Sequence, residues 1–189
     1  FGGGSSHDFG RWFREADLAT LARSRPDLST RYTERAADLA GGLGPATVLV
    51  LCTNQPLAGP TRELVEQHLQ AGGSLLAYHP GTWRNWASWE SLSRDWLGGA
   101  SESHEPLREF DVELSDAGWS WLAPRESSSQ RRFPIVDELY RFAPEDGAVQ
   151  MRVLAEGVSR DGGARYPVLW TTRPGEARVA GLTLGHDGD

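Results

Sequence analysis

The chain has a single cysteine, Cys52, among 189 residues. An internal disulfide is excluded, and so is a metal centre built from several thiolates. Cys52 closes an apolar run but is followed by Thr53-Asn54-Gln55-Pro56. That segment lacks the glycine turn and immediate helix that would expose a nucleophile, so a buried structural thiol is expected. One cysteine also suits a reducing compartment, and a cytoplasmic location is expected. Long apolar runs are missing too. The longest, Ala46 to Cys52, is far too short to span a bilayer, so no membrane partner is expected, and no signal-peptide pattern is visible. Clustered positive charge is lacking: the formal net charge is -7, which argues against nucleic acid. The acidic residues concentrate between Glu102 and Asp116 with only Arg108 to offset them, which reads as a solvated strand and loop. No G-x-S-x-G elbow is present for a serine hydrolase. Gly2-Gly3-Gly4 precedes a helical pattern and has the form of a phosphate cradle, but no lysine follows as in a P-loop.

What is present describes a soluble globular chain, with 39% hydrophobic and 24% charged residues. The length suits one domain over 1–189 with a sizeable core. Phe1-Gly2-Gly3-Gly4 reads like the last residue of a strand entering a loop. A preceding strand is therefore expected, and more structure is expected after Gly185-His186-Asp187.

Phe9, Trp12, Phe13 and Ala16, then Leu18, Leu21 and Ala22, recur at helical spacing, with Asp8 as cap and Arg25-Pro26-Asp27 as stop. Ser29 to Thr33 is a weak strand candidate, and Ala36 to Leu43 a connecting turn or short helix. Thr47 to Cys52 is a continuous apolar run of the kind that a parallel sheet covers on both faces. Thr61 to Ala71 follows as a helix. Ser74 to Tyr78 is a strand entered through Gly72-Gly73, and it ends abruptly in His79-Pro80-Gly81, where a sharp turn is expected. Asn85 to Leu97 is a further helix with Trp86, Trp89, Ser93 and Trp96 on one face. This alternation implies βαβ units and a parallel sheet. The second half carries short strands at Phe110 to Leu114, Pro134 to Val136, Met151 to Glu156, Tyr166 to Thr171 and Arg178 to Leu184, with a polar loop from Pro124 to Arg132.

Three histidines share one kind of place. His7 follows the expected earlier strand, His79 a buried strand, and His186 the last strand. In a parallel sheet, strand ends distant in sequence meet at one edge, where ligands bind. His7 and His186 each precede an aspartate, Asp8 and Asp187. Imidazole and carboxylate suit Zn, Mn or Fe, so His7, His79 and His186 are candidate ligands of a divalent metal, Zn or Mn foremost. The same groups also serve acid–base work near neutral pH. Asp137-Glu138-Leu139-Tyr140 places two carboxylates after a short strand. Glu138 is expected in the cleft and Asp137 in a structural role. His104 is a weaker candidate in an exposed loop, and His68, within a helix, is a surface or packing residue. Of eight tryptophans, Trp86, Trp89 and Trp96 read as core. Trp83, outside that stripe and just after the His79 turn, is placed to stack on a sugar face.

These landmarks occur in a particular order: Gly2-Gly3-Gly4 with His7-Asp8-Phe9, then Gly72 to His79, Asp137 to Tyr140, Pro167-Val168-Leu169-Trp170, and Arg178-Val179 leading to Leu184-Gly185-His186-Asp187. Together they resemble the ThuA-like (trehalose utilisation) family over nearly the whole chain. The resemblance implies a flavodoxin-like α/β fold related to class I glutamine amidotransferases, a three-layer sandwich with a mostly parallel central sheet. It implies that His79 stands where an amidotransferase has its nucleophilic cysteine, so glutaminase chemistry is not expected. It implies a link to the catabolism of trehalose and related disaccharides, with His7, His79, Glu138, His186 and Asp187 as shared cleft residues. His79, Glu138, His186 and Asp187 are then the catalytic candidates, and His7, Asp8, Trp83, His104 and Tyr140 the substrate contacts. The chain departs from the family pattern at Asp116 to Trp121, where His-Pro is frequent, and at Gly175-Glu176-Ala177-Arg178, where Gly-Lys-Gly-Arg is frequent. The expected function is an enzyme acting on a sugar or oxidised disaccharide through this cleft. A non-catalytic sugar- or partner-binding domain, a structural domain of a larger protein, and a homo-oligomeric state stay open.

Overall fold

The computed structural model describes residues 1–3, 8–12, 18–53, 55, 57, 59–84, 89–122 and 130–186. Two short helices, α1 (Phe9–Trp12) and α2 (Leu18–Ser24), fall in the segment with the first helical pattern; residues 13–17 lie outside the described residues. Ser29 to Thr33 is irregular and joins no sheet, in contrast to the expected strand. Ala36–Gly41 is a 3-10 helix. Then follow β1 (Val48–Leu51), α3 (Pro60–Gln70) and β2 (Ser74–Tyr78). After a 3-10 turn and a π-helical segment come β3 (Gly99–His104), β4 (Arg108–Leu114), α4 (Asp116–Leu122), β5 (Arg132–Asp137) and β6 (Tyr140–Pro144). The chain closes with β7 (Met151–Val158), β8 (Arg165–Thr172) and β9 (Arg178–Leu182).

Seven strands form one sheet in the order β1-β2-β9-β8-β7-β4-β5, and β3 pairs with β6 in a second, two-stranded sheet. The large sheet is mixed. β1, β2 and β9 run parallel; the pairings from β9 through β8, β7 and β4 to β5 are antiparallel. The expectation of a mostly parallel sheet therefore describes only one half. The reason is connection length: β7 and β8 are joined by a link too short for the crossover that parallel neighbours need.

Two cores result. Leu49, Leu51, Leu75, Ala77 and Val179 from the parallel half pack with Val65 and Leu69 of α3 and with Trp89, Leu92 and Leu97. Phe110, Val112, Leu139, Ala155 and Val168 form the second. Burial in β1 alternates, and Val48 at the start of this edge strand is 60% exposed, so the uniform apolar run does not reflect cover on both faces. The tryptophan helix is corrected as well. Leu92–Leu97 is a π-helix closed by a bond from Gly98 N–H to Ser93 O at 2.7 Å, and Trp86 lies outside the described residues. Trp89 is buried and Trp96 packs against the same core. Trp170 of β8 is fully buried, donates its indole N–H to Leu97 O at 2.8 Å and packs on Phe142 of β6. That contact lays the small sheet against the large one. Phe1 lies along β1, taking the Cys52 N–H and donating its ammonium to Val50 O. Among the described residues no helix is long and apolar enough to cross a membrane.

Candidate functional site

β2 and β9 pair in register from Ser74↔Arg178 to Tyr78↔Leu182, so both strands end at one edge of the sheet. The next residues, His79 and Thr183, become neighbours. His79 Nδ1 lies 2.7 Å from Thr183 O. A carbonyl only accepts, so Nδ1 carries the proton, and in the neutral ring Nε2 is an acceptor. The Tyr140 hydroxyl donates to it at 3.1 Å.

His79 is fully buried, and among the described residues it is the one non-glycine with positive φ, at 44°. Such a backbone costs about 1–3 kcal/mol and persists only where its surroundings over-determine it. Here Thr82 Oγ1 donates to His79 O at 2.8 Å, and the turn sits directly on the end of β1: a Cβ on Gly81 would come within 2.2 Å of Leu51 O. The sharp turn foreseen from His79-Pro80-Gly81 is thus a strained elbow.

β5 ends at Asp137, a nearly buried carboxylate. Its Oδ2 accepts the Gly185 N–H at 2.7 Å, and its Oδ1 accepts those of Glu138 at 2.7 Å and His186 at 3.3 Å. Burial pushes the Asp137 carboxyl above its ordinary pKa, against the pull of the three N–H groups. The bonds fasten the residue after β5 to the turn after β9. Glu138 and His186 therefore meet, with Glu138 Oε2 3.0 Å from His186 Nδ1. The same oxygen is 4.0 Å from His79 Nε2, and Oε1 is 3.4 Å from His104 Nδ1. One carboxylate is ringed by three imidazoles.

The small sheet supplies the other wall. His104 at the end of β3 pairs with Tyr140 at the start of β6. Tyr140 is packed against His79, with ring centroids 4.6 Å apart, and Trp83 lies 5.2 Å from Tyr140 and 5.7 Å from His104. Burial, together with the charges of Glu138 and Asp137, pushes the Tyr140 phenol well above its ordinary pKa and keeps it a donor.

The structure thus brings together His79, Glu138, His186, His104, Tyr140 and Trp83. His7 and Asp187 lie outside the described residues. Asp8 is exposed and accepts the Arg11 N–H at 3.0 Å, as a helix cap does. His68 is buried with its Nε2 3.2 Å from Ser74 O, and Cys52 is buried. Asp137 has the structural role expected of it, as a brace to the turn after β9; its partners there, and the Thr183 carbonyl that sets the His79 tautomer, escaped the sequence reading.

Of the expected metal ligands, His79 and His186 stand with Glu138, and their donor atoms all lie within 4.8 Å of one another. Metal bonds of about 2.0–2.2 Å put two donors on one ion at most about 4.3 Å apart. The 3.0 and 4.0 Å separations around Glu138 Oε2 fall inside this limit. Two imidazoles and a carboxylate suit a divalent transition ion.

Residues 14–189 match the ThuA family, described as trehalose utilisation. In overall fold the chain is similar to a ThuA-like protein from Bacteroides uniformis ATCC 8492. The TM-score is 0.68 at 16% identity, over 97% of this chain and 80% of that one. It is also similar to a ThuA-like protein from Parabacteroides merdae ATCC 43184, with a TM-score of 0.63 at 17% identity, over 99% and 78%. No curated protein matches.

Proposed function

The chain belongs to the ThuA (trehalose utilisation) family, and from that membership and its cleft we propose that it is an enzyme of carbohydrate metabolism, acting on a sugar or an oxidised disaccharide. The observation that carries this reading is the convergence of His79, Glu138 and His186 at the end of β2 and β9, with donor atoms within 4.8 Å of one another. In this reading residues 1–189 form one domain of the three-layer, class I glutamine amidotransferase-like kind, working in the cytoplasm. His79 at the nucleophile position cannot form the thioester of a glutaminase.

Each cleft residue has a role in it. His79, Glu138 and His186 would hold a divalent cation, Zn or Mn, which would supply Lewis-acid chemistry to the cleft. Glu138, with His186 and His104 against its oxygens, moves a proton. The Trp83 ring offers an apolar face for the C–H surface of a pyranose, and Tyr140 and His104 hydrogen-bond to hydroxyls. His7 and Asp8 stay candidate substrate contacts, His7 also a candidate metal ligand, and Asp187 a catalytic candidate.

Metal analysis of the purified protein tests the reading. A stoichiometric divalent metal is expected, and it is expected to be lost in His79→Ala and in His186→Ala. Absence of metal, with sugar binding unchanged in both variants, would overturn it in favour of a non-catalytic sugar-binding domain.

A further inference from the structure

His79 has one lone pair to give to the cleft. Its Nδ1 is committed as a donor to Thr183 O at 2.7 Å, which leaves the in-plane lone pair on Nε2. The Tyr140 hydroxyl lies 3.1 Å from that nitrogen. Nε2 is also the atom by which His79 reaches Glu138 Oε2, 4.0 Å away. An imidazole nitrogen cannot accept a hydrogen bond and ligate a cation with the same lone pair.

We propose that Tyr140 is a latch on the metal-free cleft: its O–H holds the His79 lone pair until a divalent cation takes it, and cation entry then turns the O–H toward a substrate oxygen. The proposal rests on the metal reading above. The surrounding geometry favours it. The Tyr140 backbone is fixed by the β3–β6 ladder, and its ring is wedged between His79 and Trp83. A cation at about 2.0–2.1 Å from Nε2 stands inside the 3.1 Å contact, so the phenol oxygen moves aside with its O–H while the backbone anchor of Tyr140 holds. Tyr140 is 5% exposed, so water offers it little compensation, and a buried donor without an acceptor is costly. A sugar hydroxyl or carbonyl reaching the Tyr140 hydroxyl supplies the acceptor. Cation and sugar then assist one another, because each removes a cost the other would meet alone.

The experiment is a calorimetric Co²⁺ titration of the intact chain and of Tyr140→Phe. The phenylalanine has no O–H to displace. It is expected to bind Co²⁺ about fivefold tighter, the worth of one net hydrogen bond, and to lose the enhancement of Co²⁺ affinity that a disaccharide gives the parent. Equal or weaker Co²⁺ binding by Tyr140→Phe would overturn the latch while leaving the metal reading intact. No Co²⁺ binding by either protein would overturn both. Histidine ¹⁵N spectra of the parent protein give a readout that does not depend on the variant folding. Zn²⁺ is expected to shift His79 Nε2 while Nδ1 stays protonated, and saturation with Zn²⁺ that leaves Nε2 unmoved sinks the proposal.

Discussion

Asp137 and Gly185 are 48 residues apart in sequence and are joined by a hydrogen bond of 2.7 Å from the Gly185 N–H to the Asp137 carboxylate. Both oxygens of that carboxylate are in use, one for Gly185 and the other for Glu138 and His186. Asparagine has one acceptor oxygen, and its NH₂ would face an N–H. Asp137→Asn is therefore expected to cost about 1–3 kcal/mol in urea unfolding. It is also expected to weaken Co²⁺ binding, because Glu138 and His186 lose their common tether. A variant of parental stability and parental Co²⁺ affinity would show that the brace is dispensable.

Gly185→Ala attacks the same turn from the other side. Gly185 has φ 114°, and a Cβ there would stand 2.1 Å from the Tyr78 hydroxyl oxygen. An L-residue is strained at this φ and the neighbour blocks it as well. Destabilisation by more than about 1 kcal/mol is expected in chemical denaturation. Co²⁺ affinity should fall with it, since His186 is the next residue.

Trp83 is expected to report on sugar. Its ring edges onto Tyr140 and His104 at the cleft wall, so a disaccharide stacked there changes the indole environment. Tryptophan emission should respond to disaccharide in the parent and not in Trp83→Ala. An unresponsive parent protein counts against stacking, and a response that survives in the variant moves it to another tryptophan.

Acid should loosen the antiparallel half. A hydrogen bond from Arg132 holds the Asp111 carboxyl below its ordinary value of 3.8, and one from Arg108 does the same for Asp161. A carboxylate depressed in the folded state adds stability that is complete above the unfolded value. That stability disappears as pH falls through the lower folded value. The urea midpoint is expected to hold from pH 7 to about pH 5 and to drop as pH falls through 3.8 and below, and Arg132→Gln should reduce the size of that drop. An equally steep drop in Arg132→Gln would show that the Asp111 pair contributes nothing.

The parallel half was legible because its signals are local. β1 and β2 are short apolar runs with turn residues around them, and His79 stands between such a run and Pro80-Gly81. β3 was not legible. Its sequence, Gly99 to His104, contains two serines, a glutamate and a histidine, and it becomes a strand by pairing with β6. Nor was α4, a seven-residue helix with Gly118 at its third position, where helix propensity is poor. The cleft followed the same division. Histidines at strand ends can be found by position along the chain. The Asp137 brace and the Thr183 carbonyl cannot, because what they do depends on which strands become neighbours.

That neighbour relation sets the order in which the cleft is made. β9 is inserted between β2 and β8, and His79 meets Thr183 across 104 residues. Closing so long a loop is among the slower events of folding. On a ribosome the first elbow is synthesised well before its partner strand emerges. Until β9 docks, His79 lacks Thr183, and Glu138 lacks His186. The grouping of His79, Glu138 and His186 therefore stays unassembled in a nascent or prematurely ended chain, and it is a late product that follows completion of the sheet.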